Sequence, residues 1–236
     1  IMSTTTTITA AEINKLRQAT GAGMMDCRKA LVESDGDFEK AIDYLRKKGQ
    51  KVAALRSDRE AKEGVIIASP TPDNKSGLII TLACETDFVA KNAEFVAFAQ
   101  SIMDIALKNN VKTLEELLSA KLDNVSIADK INDQVARIGE KIQLTRFERI
   151  DADAVAAYIH GAYRMGVLVG LNKNTPAALQ AGRDVAMQIA AMNPVAVDPD
   201  SVSADVIARE KAIVTDQIKN DPKMAGKPDE MIEKIA

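Results

Sequence analysis

The chain has 236 residues, 46% of them hydrophobic and 28% charged, with a formal net charge of −3. That length and apolar share allow a real core, in one large domain or two smaller ones, while the slightly acidic balance excludes a global basic field that draws a protein to nucleic acid. Aromatic residues make up only 3%, with no Trp, too few to build stacking platforms for single strands.

The opening IMSTTTTIT has neither a basic nor an apolar leader segment, and no run approaches ~18 apolar residues. A soluble, cytoplasmic protein is therefore expected. Cys27 and Cys84 are far apart, match no zinc spacing, and read as reduced thiols.

The first segment is strongly punctuated. Thr9 with Glu12 forms a capping-box signature before a helix carrying Ile13 and Leu16. TGAG (20–23) ends it. A second helix carries Met24, Met25, Ala30 and Leu31 and stops at SDGD (34–37). Asp37 caps a third, with Phe38, Ile42 and Leu45 on one face and Gly49 at its end. These helices form a small bundle over residues 1–50. The charged, weakly periodic stretch that follows, 51–62, reads as a linker or a solvated helix.

Periodicity then changes. EGVIIAS (63–69) and GLIITLAC (77–84) are rich in Val and Ile and flank PTPDNKSG, the pattern of a hairpin. A helix starts at about Lys91 and carries Phe95, Phe98, Ala99, Ile102 and Met103. Two shorter helices fit at Thr113–Ala120 and Ile127–Arg137. KIQLTRFERI (141–150) alternates as a strand, Asp151–Ala162 reads as a helix, GVLVGL (166–171) as a strand, and Pro176–Met192 as a helix. GLIITL and GVLVGL are each followed by a long helix, a faint internal repeat. The simplest architecture is α+β, with two related subdomains of small antiparallel sheet packed with helices. SVSADVIAREKAIVTDQIKN (201–220) is a helix with a thin seam through Val206 and Ile213. DPKMAGKP turns the chain and DEMIEKIA starts a returning helix. That is an antiparallel helical hairpin, and the chain is expected to continue past it.

Bond-making chemistry finds little support. TGAGMMDC lacks the Lys-Ser/Thr that a phosphate loop needs. His160 is the only histidine, so no multi-His metal site exists. A Cys84/His160/Asp87 nucleophilic set can be written down, but nothing brings its members together, and a thiol inside an apolar strand is ordinarily inert. No enzyme activity, metal or cofactor is expected, which leaves binding.

Asp87 and Phe88 sit at a strand-to-helix junction. Either Asp87 caps the helix and Phe88 packs back as a hydrophobic staple, or Phe88 is an exposed aromatic anchor for a partner's pocket. Because Phe95 and Phe98 already serve the core stripe, Phe88 is the most expendable for packing. Of Met24 and Met25, one is expected in the core, since neighbours on a helix cannot both face inward; the other suits an adaptable contact surface. His160 reads as an ordinary helical histidine, and Arg46–Lys51 as a solvated face.

Three stretches carry a resemblance. ITAAEINKLRQATGAGMMDCRKALVESDGDFEKAIDYLRKKG, CETDFVAKNAEFVAFA and YIHGAYRMGVLVGL are similar, in this order, to the signatures of the bacterial elongation factor Ts family. The match is co-linear from about Ile8 to the end. It implies a ubiquitin-associated-like bundle (1–50), a linker (51–62), a core N-subdomain (63–140), a core C-subdomain left incomplete (141–200) and a protruding helical hairpin with a truncated second arm (201–236). It also implies guanine-nucleotide exchange on elongation factor Tu, the GTPase of translation elongation, with no direct nucleic-acid or membrane contact.

In the family the TDFV motif, here Thr86, Asp87, Phe88 and Val89, meets the GTPase, and the Phe ring wedges near its magnesium and phosphate site. Arg17, Met24, Met25, Ile138, Gly139 and His160 match further contact positions, and Arg28 stands where many relatives carry Lys. Asn92 and the PTPDNKSG loop look like ordinary variation. The competing class is a general adaptor that binds through Met24 and Met25 without any effect on nucleotide.

Overall fold

The computed structural model describes residues 8–224 and 228–236. Part of the DPKMAGKP turn and most of the IMSTTTTIT stretch lie outside these residues. The chain divides into two compact units, residues 1–191 and 192–236.

In the first unit, α1 (Ala10–Thr20), α2 (Met24–Glu33) and α3 (Phe38–Leu55) form the N-terminal bundle. The capping box at α1 is present: Thr9 N–H donates to Glu12 Oε2 at 2.8 Å, and Glu12 N–H donates to Thr9 Oγ1 at 3.3 Å. Leu16, Cys27, Ala30, Leu31, Ala41 and Leu45 make the bundle's own core. Met24 and Met25 are both exposed, so the expectation of one core methionine fails. Cys27, Ala30 and Leu31 occupy the inward face of α2 instead.

Gly49 does not end α3, which continues to Leu55. A Cβ at Gly49 would stand 3.2 Å from the carbonyl oxygen of Asn132 and 3.4 Å from Ala136 Cβ. The glycine is there for a close helix crossing rather than a cap. Val52 and Ala53, read as linker, pack against the main core.

That core lies under an antiparallel sheet of β1 (Glu63–Pro70), β2 (Ser76–Cys84) and β5 (Gln143–Asp151), in the order β1-β2-β5. Val65, Ile67, Leu78, Ile80, Leu82 and Leu144 alternate toward it, as period-two patterning requires. The expected helix from Lys91 is two helices. A single turn, α4 (Asp87–Ala90), precedes α5 (Ala93–Lys108). Asn92, unremarkable in the sequence, caps α5 by accepting from Glu94 N–H at 2.8 Å. Phe95, Ala99, Ile102, Met103 and Ala106 form the buried stripe of α5, with Phe98 at its margin.

Helix α6 (Leu114–Ser119), a minimal hairpin of β3 (Lys121–Leu122) and β4 (Val125–Ser126), and α7 (Ile127–Ile138) complete this layer. The hairpin had no counterpart in the sequence reading. Its turn is Asp123–Asn124, with φ of 53° and 65°, the left-handed pair that a tight hairpin uses. Because β5 pairs with β2 from Ser76↔Asp151 to Ala83↔Gln143, the sheet joins residues on both sides of the subdomain boundary expected at residue 141.

The segment expected as a helix over Asp151–Ala162 is a strand, β6 (Ala154–His160), paired with β7 (Met165–Leu171). Alanine-rich AVAAYIH has helix propensity, yet Val155, Tyr158 and Ile159 suit a pleated surface, and pairing with the Val/Leu-rich β7 decides the outcome. Helix α8 (Pro176–Met192) packs on this second sheet; a Cβ at Gly182 would meet Leu171 and Ala156. Each antiparallel hairpin, β1-β2 and β6-β7, is thus followed by a helix, as the repeat suggested.

In the second unit, α9 (Ala204–Asn220) and α10 (Asp229–Ile235) run antiparallel. Lys219 pairs with Asp229 at 3.3 Å at one end, and Lys211 lies beside Glu233 and Lys234 at the other.

Candidate partner-binding site

Strand β2 delivers Cys84 into the core and then leaves the sheet at Glu85. Thr86, with extended backbone, is the N-cap of α4: its Oγ1 accepts from Val89 N–H at 3.4 Å. Asp87 is therefore the first residue of the turn rather than its cap. Its carboxylate accepts from Lys91 Nζ at 2.6 Å, one turn on. That ammonium, foremost, holds the Asp87 carboxyl below the usual carboxylate range, with Arg164 adding to the effect.

Phe88 projects from this turn with 83% of its surface exposed. The staple reading therefore fails. Val89 and Ala90, its neighbours, pack against the main core and hold the turn to the body.

The turn is anchored from α7. Gly139, at φ 82°, closes that helix in the left-handed region, and the chain then presents Glu140. One Glu140 oxygen accepts from the N–H groups of Glu85 and Thr86, both at 3.1 Å; the other accepts from Thr86 Oγ1 at 2.7 Å. Glu85 answers in kind, accepting from Lys141 N–H at 2.5 Å and from Arg59 at 3.0 Å. The Lys141 N–H bond, with Arg59 and Arg56 behind it, keeps the Glu85 carboxyl below its ordinary range. Lys141 Nζ in turn donates to the carbonyls of Ser57 and Arg59 beyond α3. Ile138 packs on the core beside these bonds.

Two other segments border this assembly. The β6-β7 turn contains Gly161, Ala162 and Tyr163, all at positive φ, which is uncommon for Ala and Tyr. Tyr163 offers its carbonyl to Ile66 N–H at 2.8 Å, and Arg164 pairs with Glu63 at 2.7 Å. His160 ends β6, exposed, with Nδ1 2.9 Å from the Tyr158 hydroxyl; it is not helical. On the other side, the TGAG loop of the bundle approaches α7, since a Cβ at Gly21 would stand 3.1 Å from Arg137 Cδ.

Thr86, Asp87, Phe88, Val89, Ile138 and Gly139 thus gather in one region, with the His160 turn joined through Arg164. Met24 and Met25 open α2 just after the TGAG loop. Arg17 and Arg28 are exposed on the bundle, and no bond links either to the TDFV turn.

The nucleophilic set does not assemble. Cys84 Sγ donates to the Thr86 carbonyl at 3.2 Å, and burial pushes its thiol up to about 12. Its two supposed partners bond elsewhere, Asp87 to Lys91 and His160 to Tyr158. Among the described residues, no group of three or more His, Cys, Asp or Glu could hold a metal ion, and no helix is long and apolar enough to cross a membrane.

A family profile described as Elongation factor TS matches residues 85–236. An elongation factor Ts of Christiangramia forsetii is 50% identical over 229 residues, covering 97% of this chain and 81% of the relative. One of Flavobacterium psychrophilum is 50% identical over 230 residues (98% and 82%), and one of Cytophaga hutchinsonii 48% over 233 (98% and 82%).

The chain belongs to the elongation factor Ts family.

The family match begins at Glu85 and takes in the TDFV turn, the Glu140 loop and the His160 turn. The bundle residues lie outside that match, while the elongation factor Ts relatives align over nearly the whole chain. Sequence reasoning missed Glu85, Glu140, Tyr163 and Arg164. No local signal marks them: the end of α7 leaves carbonyls rather than N–H groups unsatisfied, and the donors that Glu140 meets belong to Glu85 and Thr86, about fifty positions earlier.

Proposed function

We propose that this chain is a guanine-nucleotide exchange factor for elongation factor Tu, acting in the cytoplasm during translation elongation. The resemblance of its three signatures to elongation factor Ts supplies the partner. One observation carries the mechanism: a phenylalanine exposed to 83% stands on a helical turn fixed by its neighbours. A large aromatic ring held out in water on a fixed turn has the form of an anchor for a partner's pocket.

An exchange factor needs neither acid nor base. It needs tighter contacts with the nucleotide-free partner than with the nucleotide-bound one, and linkage then weakens nucleotide binding by the same factor. Phe88 enters beside the magnesium and phosphate site of the GTPase and supplies that difference. Thr86, Asp87 and Val89 present it. Met24, Met25, Arg17 and Arg28, on a bundle of ubiquitin-associated type, hold the same partner at a second place. Ile138, Gly139 and His160 border the first. No bond in the partner or the nucleotide is made or broken by this chain.

Stopped-flow release of a fluorescent GDP analogue from elongation factor Tu tests the reading. Release that accelerates with the concentration of this chain is expected; a rate independent of it removes the exchange function and favours a plain adaptor.

A further inference from the structure

We propose that Glu140 is a positioning residue for nucleotide exchange: its carboxylate holds the first turn of α4 so that the Phe88 ring is presented ready for insertion. This inference rests on the exchange reading above.

Helix α4 has four residues, and an isolated turn of that length is unstable in water. Phe88 cannot hold itself, since most of its ring touches nothing in this chain. Its pose is set by how residues 85–90 are held: Val89 and Ala90 rest on the core at one end, and hydrogen bonds fix the entry. Three donors at the entry to that backbone, Glu85 N–H, Thr86 N–H and Thr86 Oγ1, converge on the one Glu140 carboxylate. Hydrogen bonds to an ionised acceptor are the strong kind.

The hydroxyl bond also decides an orientation. With its proton given to Glu140, Thr86 Oγ1 turns a lone pair to Val89 N–H, which makes the cap. Glu140 itself is fixed. It follows the left-handed Gly139, and the Lys141 N–H beyond it is held by Glu85. Two loops thus exchange carboxylates for each other's backbone, one bearing Phe88 and one closing α7. Remove Glu140 and the donors go to water, with the turn free to sample poses in which the ring points elsewhere. Such a loss is felt in the insertion step, because the bundle contacts are left in place.

The test uses the full chain and elongation factor Tu in the stopped-flow assay, with wild type, Glu140→Ala, Glu140→Gln, Phe88→Ala and the Glu140→Ala/Phe88→Ala double variant. Glu140→Ala is expected to lower the saturating release rate about ten-fold, with a smaller change in the half-saturating concentration. Glu140→Gln, which keeps an acceptor for the two N–H groups, recovers part of the rate. In the Phe88→Ala background, Glu140→Ala adds less than about two-fold, because its effect passes through the ring.

Equal losses on both backgrounds, or a wild-type rate in Glu140→Ala, overturn the positioning role alone. A wild-type chain that fails to accelerate release overturns the exchange reading and the positioning role with it. Amide hydrogen exchange gives an independent reading. Residues Thr86 to Ala90 are expected to exchange faster in Glu140→Ala while α5 keeps its protection. Unchanged exchange in the turn, or uniform loss throughout the chain, counts against the proposal.

Discussion

Thr86 and Glu140, 54 positions apart, are joined by two hydrogen bonds, from the Thr86 N–H at 3.1 Å and from its hydroxyl at 2.7 Å. The exposed ring of Phe88 lies two residues beyond this junction. A rigid mount and an unpacked ring make different demands on mutation, which separates effects on function from effects on stability.

Phe88→Ala is expected to slow stimulated GDP release about ten-fold or more, as truncation of an interface anchor does. Because the ring contributes little to the core, its loss changes stability by no more than about 0.5 kcal/mol. Thermal melts beside the stopped-flow series check both halves. Wild-type release in this variant would remove Phe88 from the mechanism.

Met25→Gln probes the bundle. The side chain is 71% exposed at the start of α2, so the melt should not move. The half-saturating concentration in the exchange assay should rise about three- to ten-fold, with the saturating rate nearly kept. A drop confined to the saturating rate speaks against a holding role.

Ile80 is fully buried at the centre of β2, opposite Ile67 on β1 and Phe147 on β5. Ile80→Ala leaves a cavity beneath the sheet and should cost about 2–5 kcal/mol. Urea unfolding should show a lower midpoint with an unchanged slope. A loss under about 1 kcal/mol means that the core closes over the gap.

Acid sensitivity has an identifiable contributor. Asp151, at the end of β5, accepts from Arg149 and Ser76, and these bonds, Arg149 first, hold its carboxyl at about 2 instead of the ordinary 3.8. A lowered folded value means that folding favours the ionised form. The resulting stability is complete above about pH 4 and is lost as pH falls toward 2. Asp151→Asn should therefore flatten the stability profile across that window while leaving its shape near neutrality intact. Parallel acid limbs in wild type and variant would show that Asp151 does not contribute.

Much of this molecule was legible in advance because the controlling forces are local. Thr9 with Glu12 marks a helix start, and the Val/Ile-rich runs of β1 and β2 on either side of a turn report a hairpin. Errors arose where a distant partner outweighs local preference. AVAAYIH became a strand because β7 lies beside it, and Gly49 stayed inside α3 because α7 presses on it.

The candidate site divides along the same line. Three signatures pointed to Phe88, Met24, Met25 and His160, and ARIGEKI to Ile138 and Gly139, since each sits in a recognisable string of neighbours. Whether Phe88 packs inward or stands in water could not be read from TDFVAKN, because both arrangements use the same residues. Glu85 and Glu140 passed unnoticed, as an acid beside a helix end is ordinarily only solvated. From its sequence alone the protein has a family, a helical bundle and a strand-to-helix junction bearing an aromatic. Only the tertiary structure decides that the ring is exposed and the junction clasped, because bonds between residues about fifty positions apart exist only once the sheet and α7 have packed against each other.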